Sequence, residues 1–179
     1  MKSVYKLALL AEAKRRFRLM KEEGLLGTLS PTPIDFINKI VVGNGTTNNV
    51  ALTSRSIVLE LGCGDGRWLN AIRENFKCLC IGIEMDVDRI QLAANSGKKY
   101  SKLIPRVDLI IADIFHINFC IATHLIFYLS VEGNIRVNEK IKGEVRPGTI
   151  IISCGFQVTD MAPVEVFRSH GMTAYKYIF

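Results

Sequence analysis

The chain reads as an α/β protein with an open, mostly parallel, doubly wound sheet. Three observations predict this. The apolar run Ile57-Val58-Leu59 passes directly into Glu60-Leu61-Gly62-Cys63-Gly64-Asp65-Gly66, a strand followed by a glycine turn. Two further apolar runs, Cys78 to Ile83 and Val107 to Ala112, end in the carboxylates Glu84 and Asp113, and runs of this kind read as buried parallel strands. At the end of the chain, residues 164–167 and 173–179 flank Ser169-His170-Gly171 as an antiparallel hairpin would. Parallel strands bring the glycine turn and both acids to one sheet edge, where open α/β sheets bind ligands.

Taken in chain order, residues 1–26 hold seven bases (Lys2, Lys6, Lys14, Arg15, Arg16, Arg18, Lys21) against Glu12, Glu22 and Glu23. Val4, Leu7, Leu10, Ala11, Phe17 and Met20 recur at near-helical spacing, which predicts an amphipathic helix ending near Gly24. Its basic face is read first as a solvated surface over a core-facing stripe, and second as a gate or docking element for an acidic partner such as RNA. Ile34, Phe36, Ile37 and Ile40 then mark a second helix, with Pro33 in its first turn and Thr32 near its cap. Residues 43–49, within a segment running to 54, read as an extra polar, mobile loop.

The glycine turn carries the chemistry. A strand that reverses into a helix within a few residues needs positive φ, and glycines also let backbone amides approach a ligand closely. The spacing Gly-x-Gly-x-Gly departs from the Gly-x-Gly-x-x-Gly of a pyrophosphate site, and Glu60 and Asp65 would repel a pyrophosphate. They suit a ligand bearing an ammonium or sulfonium group. Glu84, 84 − 66 = 18 residues beyond the last glycine, is placed to accept ribose hydroxyls, and Asp113 to accept an adenine amino group.

In this order and spacing, the residues resemble the class I S-adenosylmethionine-dependent methyltransferases. The resemblance implies a Rossmann-like, seven-stranded sheet over residues 27–179 as a single domain. It also implies S-adenosylmethionine as cofactor, held by Glu60, Gly62, Cys63, Gly64, Asp65 and Gly66, by Glu84 with Met85 at the ribose, and by Asp113 with Ile114 at the adenine. The Pro31-Thr32-Pro33 step and the arginine of Gly64-Asp65-Gly66-Arg67 are similar to those of the archaeal broad-specificity protein lysine methyltransferases and their mitochondrial eukaryotic relatives. In that group Thr32 and Pro33 would border the methionine end. The runs His124 to Leu129, Asn134 to Lys140 and Val145 to Ser153 resemble its fourth strand, following helix and fifth strand. Cys154-Gly155-Phe156 departs from the polar residues the group tends to carry there. Tyr128, at the fourth strand's end, is the candidate for orienting an acceptor amine, against a plain packing role.

Composition bounds the rest. With 179 residues, 49% hydrophobic, the chain can bury one sizeable core. No apolar run has membrane-spanning length. Five cysteines without a Cys-x-x-Cys pair suggest neither a disulfide framework nor zinc, and a reducing compartment. A cytoplasmic location is expected, with a mitochondrial one as alternative, although Glu12, Glu22 and Glu23 weaken a presequence reading. The expected acceptor is a protein lysine side chain. No Asn-Pro-Pro-Tyr step follows the fourth strand, which moves nucleic acid to second place, while the net charge of +6 and a pI near 9.1 keep RNA in view. A non-catalytic cofactor-binding partner subunit is the third reading. Oligomeric state is left open.

Overall fold

The structure, a computed structural model, describes residues 11, 12, 14, 15, 17–19, 21, 22, 31–43, 49–96, 107–169 and 171–179. The described residues between 11 and 22 are helical, as the apolar spacing predicts. The rest of the expected N-terminal helix, and loop residues 44–48, lie outside the described residues.

Seven strands form one sheet: β1 (Ile57–Leu61), β2 (Leu79–Glu84), β3 (Val107–Ile111), β4 (His124–Phe127), β5 (Ile150–Cys154), β6 (Glu165–Ser169) and β7 (Met172–Ile178). Their order is β3-β2-β1-β4-β5-β7-β6. The first five run parallel, and β7 pairs antiparallel with both β5 and β6. Beyond that N-terminal segment, the helices among the described residues are α1 (Ile34–Val41), α2 (Arg67–Phe76), α3 (Val87–Ser96) and α4 (Val131–Glu144), with a 3-10 turn at Ile114–His116.

Strand side chains alternate between two cores, which is what a doubly wound sheet requires. Val58, Ile126 and Ile152 pack beneath α1 and α2, against Phe36, Ile37, Ile40, Trp68, Leu69 and Ile72. Leu59, Leu61, Leu125, Phe127 and Ile151 face the opposite core with Val137, Ile141 and Tyr177. Two polar groups at the edge of this second core are satisfied locally: the Tyr177 hydroxyl accepts from Val158 N at 2.9 Å, and Ser130 caps α4 by accepting from Gly133 N at 3.0 Å.

One local expectation is corrected. Pro33, not Thr32, is the N-cap of α1, and no side chain caps that end. Proline's fixed φ suits the position and it has no N–H to satisfy there, so Thr32 is displaced one residue outward and buried. Beyond the polar stretch 43–49, the chain is anchored. Val50 and Leu52 are buried, and the Val50 carbonyl accepts from His124 Nε2 at 2.8 Å.

Among the described residues no helix is long and apolar enough to cross a membrane. All five cysteines are free; four are buried and Cys120 is half-buried.

Candidate active site

Strand order reverses between β1 and β4, the point at which a doubly wound sheet leaves a crevice outside its strand ends. A cavity of about 250 Å³ lies there. Its floor is the turn after β1, with Glu60, Gly62, Cys63, Gly64 and Asp65; Ile126, Phe127 and Tyr128 form one wall, and Pro31 and Thr32, ahead of α1, with Arg67 and Trp68, at the start of α2, line it further.

The turn is built by glycine. Gly62, Gly64 and Gly66 have φ of +73°, +54° and +74°, a region that costs other residues about 1–2 kcal/mol. The loop is also pinned to β2. The amides of Gly62 and Cys63 donate to the Ile83 carbonyl at 2.8 and 3.0 Å, and Gly64 N donates to Glu84 Oε2 at 2.9 Å. Gly82, inside β2, makes the close approach possible, since a Cβ there would stand 2.7 Å from Cys63 Sγ.

Electrostatically the floor is acidic, and one acid has an oxygen without a partner. Glu60 is buried and its Oε2 has no hydrogen-bond partner. Burial, then the charges of Asp65 and Glu84, raises its pKa well above the usual carboxylate range, with Arg67 opposing. Asp65 is the reverse case. Arg67 donates from Nε to Oδ1 at 2.9 Å and from Nη2 to Oδ2 at 2.5 Å, and this fork lowers the Asp65 pKa. The remaining arm of Arg67 donates from Nη1 to the Thr32 carbonyl at 2.9 Å, joining the glycine turn to the Pro31–Pro33 step. Burial, aided by Glu60 and Glu84, pushes the Cys63 thiol up, so it is held as an unreactive thiol.

A buried carboxyl with one unpartnered oxygen, beside a glycine turn, fits a small cation-bearing ligand better than a phosphate. Residues 60–165, more than half of the chain, match the sequence model of the ANTKMT methyltransferase domain. The chain belongs to this methyltransferase family. Within the ANTKMT methyltransferase domain, the Glu60 turn and Tyr128 fall inside the matched residues, while Thr32 and Pro33 precede them.

Three proteins that the chain is similar to cover most of it. A protein-lysine N-methyltransferase of Saccharolobus islandicus (strain REY15A) is 26% identical over 154 residues, 83% of this chain and 91% of that protein. The solved structure of an RNA methyltransferase from Salinibacter ruber, in complex with S-adenosyl-L-homocysteine, superposes with a TM-score of 0.71 at 23% identity, over 83% of this chain and 93% of the other. Magnesium protoporphyrin IX methyltransferase from Synechocystis PCC 6803, solved with S-adenosylmethionine bound, gives 0.61 at 10% identity over 81% and 77%. These likenesses confirm the Rossmann-like methyltransferase fold.

Glu84, Met85, Asp113 and Ile114 sit at adjacent strand ends and do not line the cavity, nor do Pro33 and Gly66, which cap α1 and α2. The Glu84 carboxylate ends β2 and accepts three backbone amides, from Gly64 at 2.9 Å, Met85 at 2.8 Å and Asp86 at 2.9 Å. It therefore shapes the turn besides facing the strand edge. Asp113 follows β3, accepts from Phe115 N at 2.9 Å and lies 3.1 Å from His116 Nδ1. Met85 and Ile114 are buried beside these acids. Sequence reasoning missed Trp68 and Phe127 as cavity walls, and the reach of Arg67 to Thr32, which joins residues 35 apart in the chain. Trp68 was open to reading as the residue after the loop arginine; nothing local marks the Thr32 carbonyl as its neighbour's partner.

Proposed function

We propose that this protein transfers a methyl group from S-adenosylmethionine to the side-chain amine of a protein lysine. The observation that carries the reading is the buried, unpartnered Oε2 of Glu60 in the lining of a cavity that Ile126, Phe127 and Tyr128 wall. An ammonium group at the floor would give Glu60 the partner it lacks. Bound there, S-adenosylmethionine supplies an activated methyl group on a cationic sulfur. Glu84 and Asp113, at the next two strand ends, would hold the ribose and adenine, and Met85 and Ile114 would pack beside them.

The protein's own task is to align, to exclude water and to keep the acceptor uncharged. A lysine amine with an ordinary pKa of about 10.4 is protonated at neutral pH. The apolar β4 wall disfavours the charged form by desolvation, and Tyr128 offers a hydroxyl to orient the neutral amine. The choice of lysine is further supported by the name of the Saccharolobus relative.

Calorimetric titration with S-adenosylmethionine and S-adenosylhomocysteine tests the donor site. Glu84→Ala is expected to weaken binding by about 1.5–3 kcal/mol, the scale of charge-assisted hydrogen bonds. Radiolabelled transfer to poly-L-lysine, with total RNA in parallel, tests the acceptor. Tyr128→Phe should reduce transfer to poly-L-lysine with donor affinity unchanged. Label arriving on RNA alone would replace the lysine reading with an RNA one, and donor binding without transfer would favour a partner subunit.

A further inference from the structure

We propose that Gly155 is a positioning residue for transfer: its bare Cα sets where the Tyr128 ring stands in the cleft. The inference rests on the reading of Tyr128 as the acceptor-side wall.

Gly155 is the first residue beyond β5, with φ +81°. A Cβ at this position would stand 2.7 Å from Cε2 of Tyr128, 3.3 Å from Cδ2 and 3.6 Å from Cζ. Carbon atoms in good contact are about 3.5–4.0 Å apart, so a single methyl group overlaps the ring by roughly 1 Å. Something must give, and the turn is poorly placed to do so. Gly155 N donates to the Thr173 carbonyl on β7 at 2.8 Å, and Ser153 Oγ donates to the Phe156 carbonyl at 2.6 Å. Ser153 and Cys154 are fully buried. The backbone before Tyr128 is equally held, since Phe127 pairs with Ser153 in the β4–β5 ladder. The Tyr128 ring, which lines the cavity and packs against the core, is the part left to shift, by rotation about its own side-chain bonds.

This gives a reason for the Cys154-Gly155-Phe156 sequence, which departs from the polar pattern expected there. The residue after the fifth strand serves the site by having no side chain, so the aromatic wall can lie against the main chain.

Positive φ makes any substitution at 155 strained, so the test separates strain from ring displacement. Asparagine tolerates positive φ better than alanine but carries the same Cβ. Gly155→Asn should therefore recover thermal stability relative to Gly155→Ala while losing at least as much transfer. Tyrosine-selective 13C labelling provides a direct readout, with the Tyr128 ring resonance assigned by its absence in Tyr128→Phe. In both Gly155 variants that resonance is expected to move while those of the other tyrosines stay. Turnover on poly-L-lysine should fall by roughly a hundredfold, as expected of a group misplaced by about 1 Å, with affinity for S-adenosylhomocysteine kept within about twofold. In a Tyr128→Ala background, adding Gly155→Ala should change transfer by less than about twofold, the signature of one residue acting through the other.

An unmoved Tyr128 resonance, or the full Gly155→Ala loss persisting in Tyr128→Ala, would overturn the proposal. If wild-type protein does not methylate poly-L-lysine, it is the lysine reading that fails; the resonance still decides whether Gly155 places the ring.

Discussion

Glu60 concentrates the chemistry of the site in one side chain. A carboxyl with its pKa raised by burial makes the folded protein hold a proton that the unfolded chain gives up at about pH 4.3. Its stability contribution is complete below that pH and is lost as the pH rises toward the folded value. Glu60→Gln is thus expected to raise the melting temperature of the ligand-free protein at pH 7.5, with the advantage vanishing near pH 4. The same substitution should weaken S-adenosylmethionine binding by about 1.5–3 kcal/mol, the cost of losing a charged partner. Because an ammonium ligand favours the ionised carboxyl, wild-type binding should release a proton. Calorimetry in buffers of different ionisation enthalpy would detect it, and equal apparent enthalpies in both buffers would contradict the assignment.

At the scale of elements, the cleft depends on how the glycine turn, α2 and the Pro31–Pro33 step are joined. Arg67 bridges all three, through the Asp65 carboxylate and the Thr32 carbonyl. Lysine cannot reproduce this fork. Arg67→Lys is expected to weaken donor affinity about tenfold, near 1.4 kcal/mol, chiefly through faster dissociation, which stopped-flow release of the donor would measure. The bridge survives mild acid, because Asp65, with its pKa lowered by Arg67, loses its contribution only as the pH falls below the ordinary carboxylate value of about 3.9. What could be read in the sequence follows the same division. Strands β1 to β3 and their acidic ends were legible because apolar runs closed by glycine or carboxylate are local signals. The capping of α1 was misjudged by one residue, since Thr32 and Pro33 compete for the position and only the chain path decides. The Arg67–Thr32 and Gly155–Tyr128 contacts were not legible at all. Each depends on two segments meeting across the sheet edge, and sequence spacing carries no trace of that meeting.

For the whole molecule, the reversal between β1 and β4 opens the cleft at one end of the sheet, while the other end is braced by His124. Its Nε2 donates to Val50, tying residues 49–52 to the start of β4, and burial lowers its pKa. The unfolded chain therefore takes up a proton near pH 6.5 that the folded protein resists, and stability falls as the pH drops below that value. His124→Gln should flatten this part of a plot of melting temperature against pH between 6.5 and 5; an unchanged slope would mean that another group governs acid unfolding. The opposite distribution of thiols has a practical side. Cys78, Cys80 and Cys154 are shut inside the core, Cys63 is a buried, unreactive thiol in the cleft floor, and Cys120 lies in the connection leading into the start of β4, at the far end of the sheet from the cleft. A maleimide dye should therefore attach to the native protein at one place, giving a reporter or surface tether that leaves the ligand entrance clear without any engineered cysteine.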